Sequence, residues 1–159
     1  MFLKNFNIFQ EIIQTNLQST SKFVREDNEE RDAQTSPFNS INFYVLSSSG
    51  QCVPYLVLGG SDVQPTYTDH TLGSKSNNFN MQLSSVNISQ SNDKVLITMT
   101  FVATYTGSDE YTAKEYGIGK RYTSGYYSTE TLFYKGLFTE PITFQHNEAK
   151  NLVFTIEMS

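Results

Sequence analysis

The sequence lacks several features on which common functions depend. It has no tryptophan, one cysteine (Cys52) and no basic cluster larger than the pair Lys120 and Arg121. A single cysteine excludes an internal disulfide. A net charge of −5 without a Lys/Arg cluster argues against nucleic acid as a partner. Polar residues interrupt the apolar N-terminus, and no apolar run approaches the roughly 20 residues of a membrane helix, so we predict neither a signal peptide nor a membrane partner.

Catalytic and metal-binding motifs are also missing. The sequence contains no Ser-His-Asp order, HExxH motif, paired-cysteine motif or phosphate-binding loop. Four aspartates near predicted loops, Asp62, Asp69, Asp93 and Asp109, offer the oxygen ligands that calcium prefers. Aspartate also holds turns through its side chain, and we prefer that interpretation. The sequence therefore predicts a protein that is not an enzyme and that has no cofactor and no metal.

An amphipathic pattern occupies the N-terminus. Apolar residues recur at spacings of three and four, namely Phe2, Phe6, Phe9, Ile13 and Leu17. This period predicts a helix over residues 1 to about 20, within an N-terminal arm of residues 1–24. Two roles stay open: the helix packs on its own domain, or it is an assembly interface that docks on a neighbouring subunit.

An acidic linker over residues 25–37 is predicted to follow the arm. Residues 25–32 (REDNEERD) form a charge run, and residues 35–37 (TSP) end it. Nothing in this run fixes the geometry of its carboxylates, so we interpret it as a solvated connector rather than a metal site.

Period-two alternation begins after the linker and predicts a β domain over residues 38–159. The clearest strand is residues 94–105, whose length of about 40 Å, at about 3.4 Å per residue, suggests a bend or a change of sheet near Ala103. Residues 79–90 are its predicted hairpin partner. A switch of parity at Ser84 and Ser85 predicts a β-bulge in that partner.

Further strands are predicted over residues 41–47, 52–58, 129–138 and 151–158. No alternation of strands with helices appears. The predicted fold is therefore all-β, an antiparallel, jelly-roll-like β-sandwich of six to eight strands with an N-terminal helical arm.

Tyrosines concentrate in residues 122–130, where Tyr122, Tyr126 and Tyr127 lie close together. Tyrosine combines a large rigid face with a polar tip and is enriched at interfaces. Three interpretations stay open for this segment: an assembly interface, a loop that covers one end of the sandwich, or a platform for stacking on a glycan.

Three blocks of the sequence recur in the same order in a known family. They are residues 58–72 (LGGSDVQPTYTDHTL), residues 113–118 (AKEYGI) and residues 132–157, which include the runs LFYKGLFTEPITF and NLVFTIE. These blocks resemble the patterns "vGtGttpptpsDtaLe", "itEvGl" and "Pitv…vtytiei" of small bacteriophage virion proteins with a β-sandwich. The first block has GGSD where the family usually has GTGT, and the N-terminal arm and linker lie outside the resemblance.

The first block is predicted to be a structural loop. Gly59 and Gly60 allow a positive φ where a strand ends, and Pro65 stiffens the chain. Asp69 is expected to hold a turn through its side chain, and Leu72 to plug the loop onto the core.

The second block is also predicted to be part of the structural scaffold. Glu115, two residues before Gly117, is expected to satisfy buried backbone donors at a bend.

The resemblance implies a virion component that is made in the host bacterial cytoplasm and assembles in many copies with itself and other virion proteins. We expect a place in the neck or tail, as a collar, ring or fibre-attachment protein. The alternatives are a capsid decoration or head-fibre protein and a carbohydrate-binding host-adhesion module.

Overall fold

The computed structural model describes residues 1–7, 22–32, 52–91, 94–124 and 127–158. Within these ranges the chain forms eight β-strands, and every pairing between them is antiparallel. The strands form two three-stranded sheets and one two-stranded hairpin. The prediction of an all-β chain is thus confirmed, whereas the jelly-roll-like sandwich stays a prediction.

One sheet has the order β4–β5–β8, with β4 at Phe79–Ser91, β5 at Lys94–Tyr105 and β8 at Ala149–Met158. Alternation of apolar and polar residues explains these strands, because every second side chain of the central β5 is buried. Those buried side chains are Ile97, Met99, Phe101, Ala103 and Tyr105.

The predicted hairpin and its bulge are both present. β4 pairs with β5, and the register shifts between Leu83 and Ser85. The change of sheet suggested near Ala103 is wrong, and the bend stays a prediction. β5 stays between β4 and β8 as far as Thr104, because regular ladders on both sides hold it in one sheet.

The second sheet has the order β3–β6–β7, with β3 at Cys52–Gly59, β6 at Tyr111–Ser124 and β7 at Tyr127–Phe144. β6 was not predicted, and β7 is longer than its prediction of residues 129–138. Charged residues, glycines and two register shifts interrupt the apolar alternation of β6. These interruptions remove the period-two signal on which the strand predictions depended.

The two sheets share one hydrophobic core. Buried side chains from both sheets form one cluster, for example Leu56 and Phe133 from one sheet and Phe101 from the other. Aromatic rings also meet across the core, with a centroid distance of 4.7 Å between Tyr116 and Phe154. Large buried aromatic side chains dominate the energetics of such a core.

Residues 1–3 run along the edge of β7. Phe2 forms a β-bridge with Tyr134, and the Leu3 amide donates to the Phe133 carbonyl at 2.8 Å. These bonds satisfy backbone groups that an edge strand would otherwise leave unpaired. The predicted helix therefore does not include residues 1–3.

Residues 4–7 form a single helical turn. The rest of the predicted N-terminal helix, and the predicted strand over residues 41–47, lie outside the described residues.

A hairpin occupies the region where the arm was expected to end and the linker to begin. β1 (Lys22–Val24) pairs with β2 (Glu30–Asp32). The turn between them contains Asn28 at φ 66°, and the Asp27 side chain accepts a backbone hydrogen bond within it. Asn tolerates left-handed φ and Asp holds turns, so this part of the charge run closes a hairpin instead of forming a solvated connector.

Candidate functional site

A buried carboxylate organises the loop that follows β3. Glu115 lies at a register shift of β6 and is fully buried. Its two oxygens accept hydrogen bonds from the backbone amides of Ser74 at 2.7 Å, Gly73 at 3.0 Å and Ser61 at 3.4 Å. The side chain thus satisfies backbone donors where the chain bends, which is the role expected of it from the sequence.

Gly59 is required by close approach to this carboxylate. A Cβ atom on Gly59 would lie 2.4 Å from Glu115 Oε1 and 2.7 Å from the Ser74 carbonyl oxygen. Gly59 and Gly60 do not use the positive φ that glycine allows, because neither adopts the left-handed region. The end of β3 remains extended, and the missing side chain makes room for Glu115.

Lys135 connects Glu115 to the distal part of the same loop. Its side chain is only 5% exposed, and its Nζ lies 2.8 Å from Asp69 Oδ2 and 3.7 Å from Glu115 Oε2. Asp69 also accepts from the Thr66 amide at 3.1 Å and so holds the expected turn. We call Glu115, Lys135 and Asp69 the loop anchor.

Ionisation of Asp69 is favoured within the loop anchor. Partial burial opposes it, but the hydrogen bonds from Lys135 and Thr66 outweigh the burial and lower the pKa of Asp69 below its ordinary value. Lys135 is buried and contacts two carboxylates, so it forms a structural ion-pair network with them. The arrangement is suited to holding a loop.

Leu72 attaches the loop to the outer face of the β3–β6–β7 sheet. It is 4% exposed and belongs to a second buried cluster with Leu3, Tyr55, Val57 and Leu132. This cluster lies on the face opposite the shared core, since Tyr55 and Val57 alternate with core residues of β3.

Two further residues of the predicted structural loop are Gly117 and Pro65. A Cβ atom on Gly117 would lie 2.9 Å from Leu132 Cδ2, so the glycine lets that side chain pack directly on β6. Pro65 lies half-buried within the loop.

The first assembly-interface candidates, Phe2 and Phe6, pack within their own chain. Their rings stack at 4.3 Å, Phe2 also contacts Tyr134 at 5.3 Å, and Phe6 is only 4% exposed. For these residues the structure favours the first of the two roles, packing on the chain's own domain. The remaining candidates of the stripe, Phe9, Ile13 and Leu17, lie outside the described residues.

Asn5 fastens the N-terminal hairpin to the body. This side chain is 3% exposed. Its Nδ2 donates to the Val24 carbonyl at 2.8 Å, and its Oδ1 accepts from the Val24 amide at 3.1 Å. Nδ2 also lies 3.3 Å from the Leu132 carbonyl of β7. One buried amide therefore joins the N-terminus, the hairpin and the β3–β6–β7 sheet.

A second, partly buried charge cluster lies beneath the hairpin. Lys75 Nζ lies 2.5 Å from Glu26 Oε2 and 3.4 Å from Glu130 Oε2, while Arg121 pairs with Glu130 at 2.7 Å. The Glu26 side chain is 9% exposed. The charge run that contains Glu26 is therefore partly buried and paired, in contrast to the predicted solvated linker.

Burial and neighbouring charges shift the pKa values of the two carboxyls of this cluster in opposite directions. Burial raises the pKa of Glu26. Burial also acts on Glu130, but hydrogen bonding to Glu26 and the charges of Arg121 and Lys75 outweigh it and lower the pKa of Glu130. Such a pair of carboxyls shares positive partners, which fits a clamp that holds the hairpin against the sheet.

The Tyr-rich segment is for the most part the tip of the β6–β7 hairpin. Tyr122 lies on β6 and Tyr127 begins β7, so these positions are in strands rather than in a loop. Tyr126 lies outside the described residues, and the interface and glycan interpretations of this segment stay predictions.

An aromatic groove, which sequence reasoning missed, opens between β7 and β8. This β7/β8 groove has a volume of about 230 Å³ and is lined by Tyr116, Tyr134, Leu137, Phe138 and Phe154, among other uncharged residues. Burial raises the pKa of Tyr116 to about 12. The signal was hidden because the lining side chains come from strands that are far apart in the sequence.

Within the described ranges, no group of three or more His, Cys, Asp or Glu side chains is arranged to hold a metal ion. No helix in the described part of the chain is long and apolar enough to cross a membrane. No family model, curated protein or solved structure matches the chain.

Proposed function

We propose that this chain is a non-enzymatic structural component of a bacteriophage virion, which acts by assembling in many copies with itself and with other virion proteins. We place it in the neck or tail, as a collar, ring or fibre-attachment protein, after synthesis in the cytoplasm of the host bacterium. Two lines of support carry the proposal: the resemblance of the three sequence blocks, and the way those blocks meet in space.

The meeting of the blocks is the observation that carries most weight. Asp69 comes from the first block, Glu115 from the second and Lys135 from the third, and all three form the loop anchor. Contacts between segments this distant in sequence are expected if the blocks make up one structural unit. Chance similarity of three separate stretches gives no reason for them to converge on one buried network.

We further propose that the two sheets form an antiparallel β-sandwich of jelly-roll-like topology. The shared hydrophobic core supports this, because the inner faces of both sheets contribute to a single cluster. A rigid sandwich with anchored loops suits a part that holds its neighbours at fixed positions.

The same support is compatible with a place on the capsid surface as a decoration or head-fibre protein. Fractionation of particles separates the two locations, because tails and heads can be isolated from each other.

Quantitative mass spectrometry of purified particles of the encoding phage tests the proposal. We expect several copies of the chain per particle, enriched in the tail or neck fraction. Enrichment in the head fraction would favour capsid decoration. If the chain is produced during infection but missing from the particles, the proposed function is wrong.

A further inference from the structure

The β1–β2 hairpin depends on the rest of the chain for its position. It has three residue pairs, and a two-stranded hairpin alone is marginally stable in water. Asn5 holds Val24 of β1 through two hydrogen bonds, and Lys75 holds Glu26, two residues further along, through an ion pair. Loss of either attachment therefore weakens the seat of the hairpin.

Lys75 is shared between two carboxylates. Its Nζ lies 2.5 Å from Glu26 Oε2 and 3.4 Å from Glu130 Oε2, so both carboxyl groups approach the same ammonium group. Glu130 also has Arg121 at 2.7 Å. The Glu26 side chain is 9% exposed, and its Oε1 has no hydrogen-bond partner within the described part of the chain. Glu26 is thus the less well compensated of two neighbouring acidic groups.

Charged and titratable groups face Glu26 from the elements packed against it. Those elements are the hairpin itself, the loop between β3 and β4, and the strands β3, β6 and β7. The groups are Arg25, Asp27, Lys75, Tyr55, Arg121 and Glu130. Burial holds the pKa of the Tyr55 hydroxyl well above its ordinary value. Only the carboxyl groups of such a set ordinarily titrate in acid.

One proton joins the two glutamates. Hydrogen bonding connects the carboxyl groups of Glu26 and Glu130. Ionised carboxylates only accept hydrogen bonds, so this bond requires a proton on one of the two groups. Burial raises the pKa of Glu26, whereas the hydrogen bond and the charges of Arg121 and Lys75 lower the pKa of Glu130 despite its burial. The proton therefore resides on Glu26, and the two groups titrate as a pair.

Loss of this proton leaves a charge that the closed hairpin solvates poorly. Glu26 Oε1 is then an ionised, buried oxygen beside a second carboxylate. A cavity of about 440 Å³ lies between residues 25–27 of the hairpin and Thr71, Lys75 and Glu130. Opening at this place breaks less packing than opening at a close-packed contact would. Movement of the hairpin into water thus solvates the charge at a small cost in packing.

We propose that the β1–β2 hairpin is a pH-sensitive strap, which is closed over the sheet while Glu26 and Glu130 share a proton and opens locally when that proton is lost. The sign follows from Glu26, whose pKa the closed state raises above its ordinary value of 4.5. The closed strap is most stable in acid and weakens as the pH rises through the folded-state pKa. Opening uncovers Lys75 and Glu130 and releases Val24 from Asn5.

This inference goes beyond the proposed function and does not depend on it. The strap is a property of the chain in solution, whereas the virion assignment concerns the place of the chain in a particle. A failure of the strap leaves the virion assignment as it stands, and a chain that is missing from particles can still have the strap.

Hydrogen-exchange mass spectrometry of the full-length chain at about pH 4 and about pH 7 tests the strap, with rates corrected for intrinsic exchange at each pH. We expect the protection of peptides from residues 22–32 to fall at least about threefold between these pH values. The protection of peptides from β5, a central strand, should change less than about twofold, because it opens only when the sheet unfolds.

Glu26→Gln keeps a neutral side chain at every pH and should hold the strap closed. We expect the protection of residues 22–32 in this variant to change less than about twofold between the two pH values. Asp27→Asn is the matched control, because it also neutralises a hairpin carboxylate but keeps the oxygen that accepts from the Glu29 amide. The control should retain the change of the wild type, and thermal melts show whether each variant is folded.

NMR titration of the glutamate carboxyl carbons locates the proton without any variant. We expect Glu26 to titrate above, and Glu130 below, the ordinary value of 4.5. A Glu26 carboxyl that titrates at or below that value would overturn the inference. Wild-type hairpin peptides that are unprotected at about pH 4, or whose protection does not fall by about pH 7, would also overturn it. So would a Glu26→Gln variant that keeps the wild-type change, or an Asp27→Asn variant that loses it.

Discussion

The two sheets share a core but differ in what lies on their outer faces. The outer face of the β3–β6–β7 sheet packs against Leu3, the hairpin and the loop anchored by Glu115, and ion pairs hold these segments in place. The outer face of the β4–β5–β8 sheet consists mainly of Ser, Thr, Asn, Gln and Val at half-buried or exposed positions.

This difference separates a sheet that is tied to other parts of the chain from a sheet with a mostly uncharged polar surface. The covered sheet uses specific polar contacts to fix loops and the N-terminus, so its side chains are tied to positions within the chain. Among the described residues, the outer face of the β4–β5–β8 sheet has no such cover and carries mostly uncharged polar side chains. We infer that the contacts that order the loops and the N-terminus are concentrated on the first sheet.

The largest effect is expected where the N-terminus enters the core. Replacement of Phe6 by Ala removes a ring that is 4% exposed, and we expect a loss of about 3–5 kcal/mol in the free energy of unfolding. Gln82→Ala, an exposed position on the uncovered sheet, should change it by less than about 0.5 kcal/mol. Urea denaturation measures the free energy of unfolding of both variants. A loss for Phe6→Ala as small as that for Gln82→Ala would show that the N-terminus is not part of the core.

Removal of the charge at the loop anchor should have the next largest effect. In Glu115→Gln, an amide NH₂ replaces one acceptor and faces the backbone donors of Gly73 or Ser74, while Lys135 loses a nearby carboxylate. We expect a loss of about 2 kcal/mol from unsatisfied buried groups. Glu140→Gln, at an exposed position, is the control, and denaturation midpoints with equal slopes compare the two. An unchanged midpoint for the Glu115 variant would contradict the anchor.

A methyl group at Gly59 should disturb the same anchor by crowding. The added Cβ would lie 2.4 Å from Glu115 Oε1, so we expect Gly59→Ala to cost about 1–2 kcal/mol. At the adjacent Gly60 the nearest atom, Tyr111 Oη, is 3.4 Å away, and Gly60→Ala should cost less. Thermal unfolding of the two variants compares them, and a larger loss at Gly60 would contradict the close-approach argument.

The smallest effect is expected in the pH dependence. The folded state lowers the pKa of Asp69 below its ordinary value of 3.8, so the ionised side chain stabilises the fold above that pH. This stabilisation is lost as the pH falls through the folded-state pKa. Glu26 has the opposite sign, because its pKa is raised above 4.5 and its contribution is lost as the pH rises through the folded-state pKa.

Denaturation at several pH values checks this sign. Asp69→Asn should flatten the loss of stability that the wild type shows as the pH falls below about 3.8. Glu26→Gln should remove the loss of stability that the wild type shows as the pH rises above about 4.5. Identical pH profiles for the wild type and Asp69→Asn would show that the Lys135 contact does not favour ionisation.

The sequence predicted most of the β4–β5–β8 sheet, because simple alternation holds there. The limits of β5 and the bulge of β4 followed from parity alone. Prediction failed on β6, where register shifts and charged residues that face buried networks interrupt the alternation. The roles of Asp69, Leu72 and Glu115 could be expected from residue type, but their partners could not.

Contacts between residues far apart in the sequence explain why the remaining parts of the fold and the site could not be predicted. Asn5 and Val24, Glu26 and Lys75, and the lining of the β7/β8 groove meet only after the chain has folded. The N-terminal pattern was compatible with a helix, yet residues 1–3 pair with β7, because an unpaired edge offers backbone hydrogen bonds that a single-sequence pattern does not reveal.

Light scattering of the full-length protein over a hundredfold range of concentration tests most directly whether the chain works by associating with copies of itself. We expect the average mass to rise from that of the 18.1 kDa chain towards at least twice that value as the concentration increases. A mass that stays at 18.1 kDa throughout would contradict self-association and leave assembly with a different protein as the route into a particle.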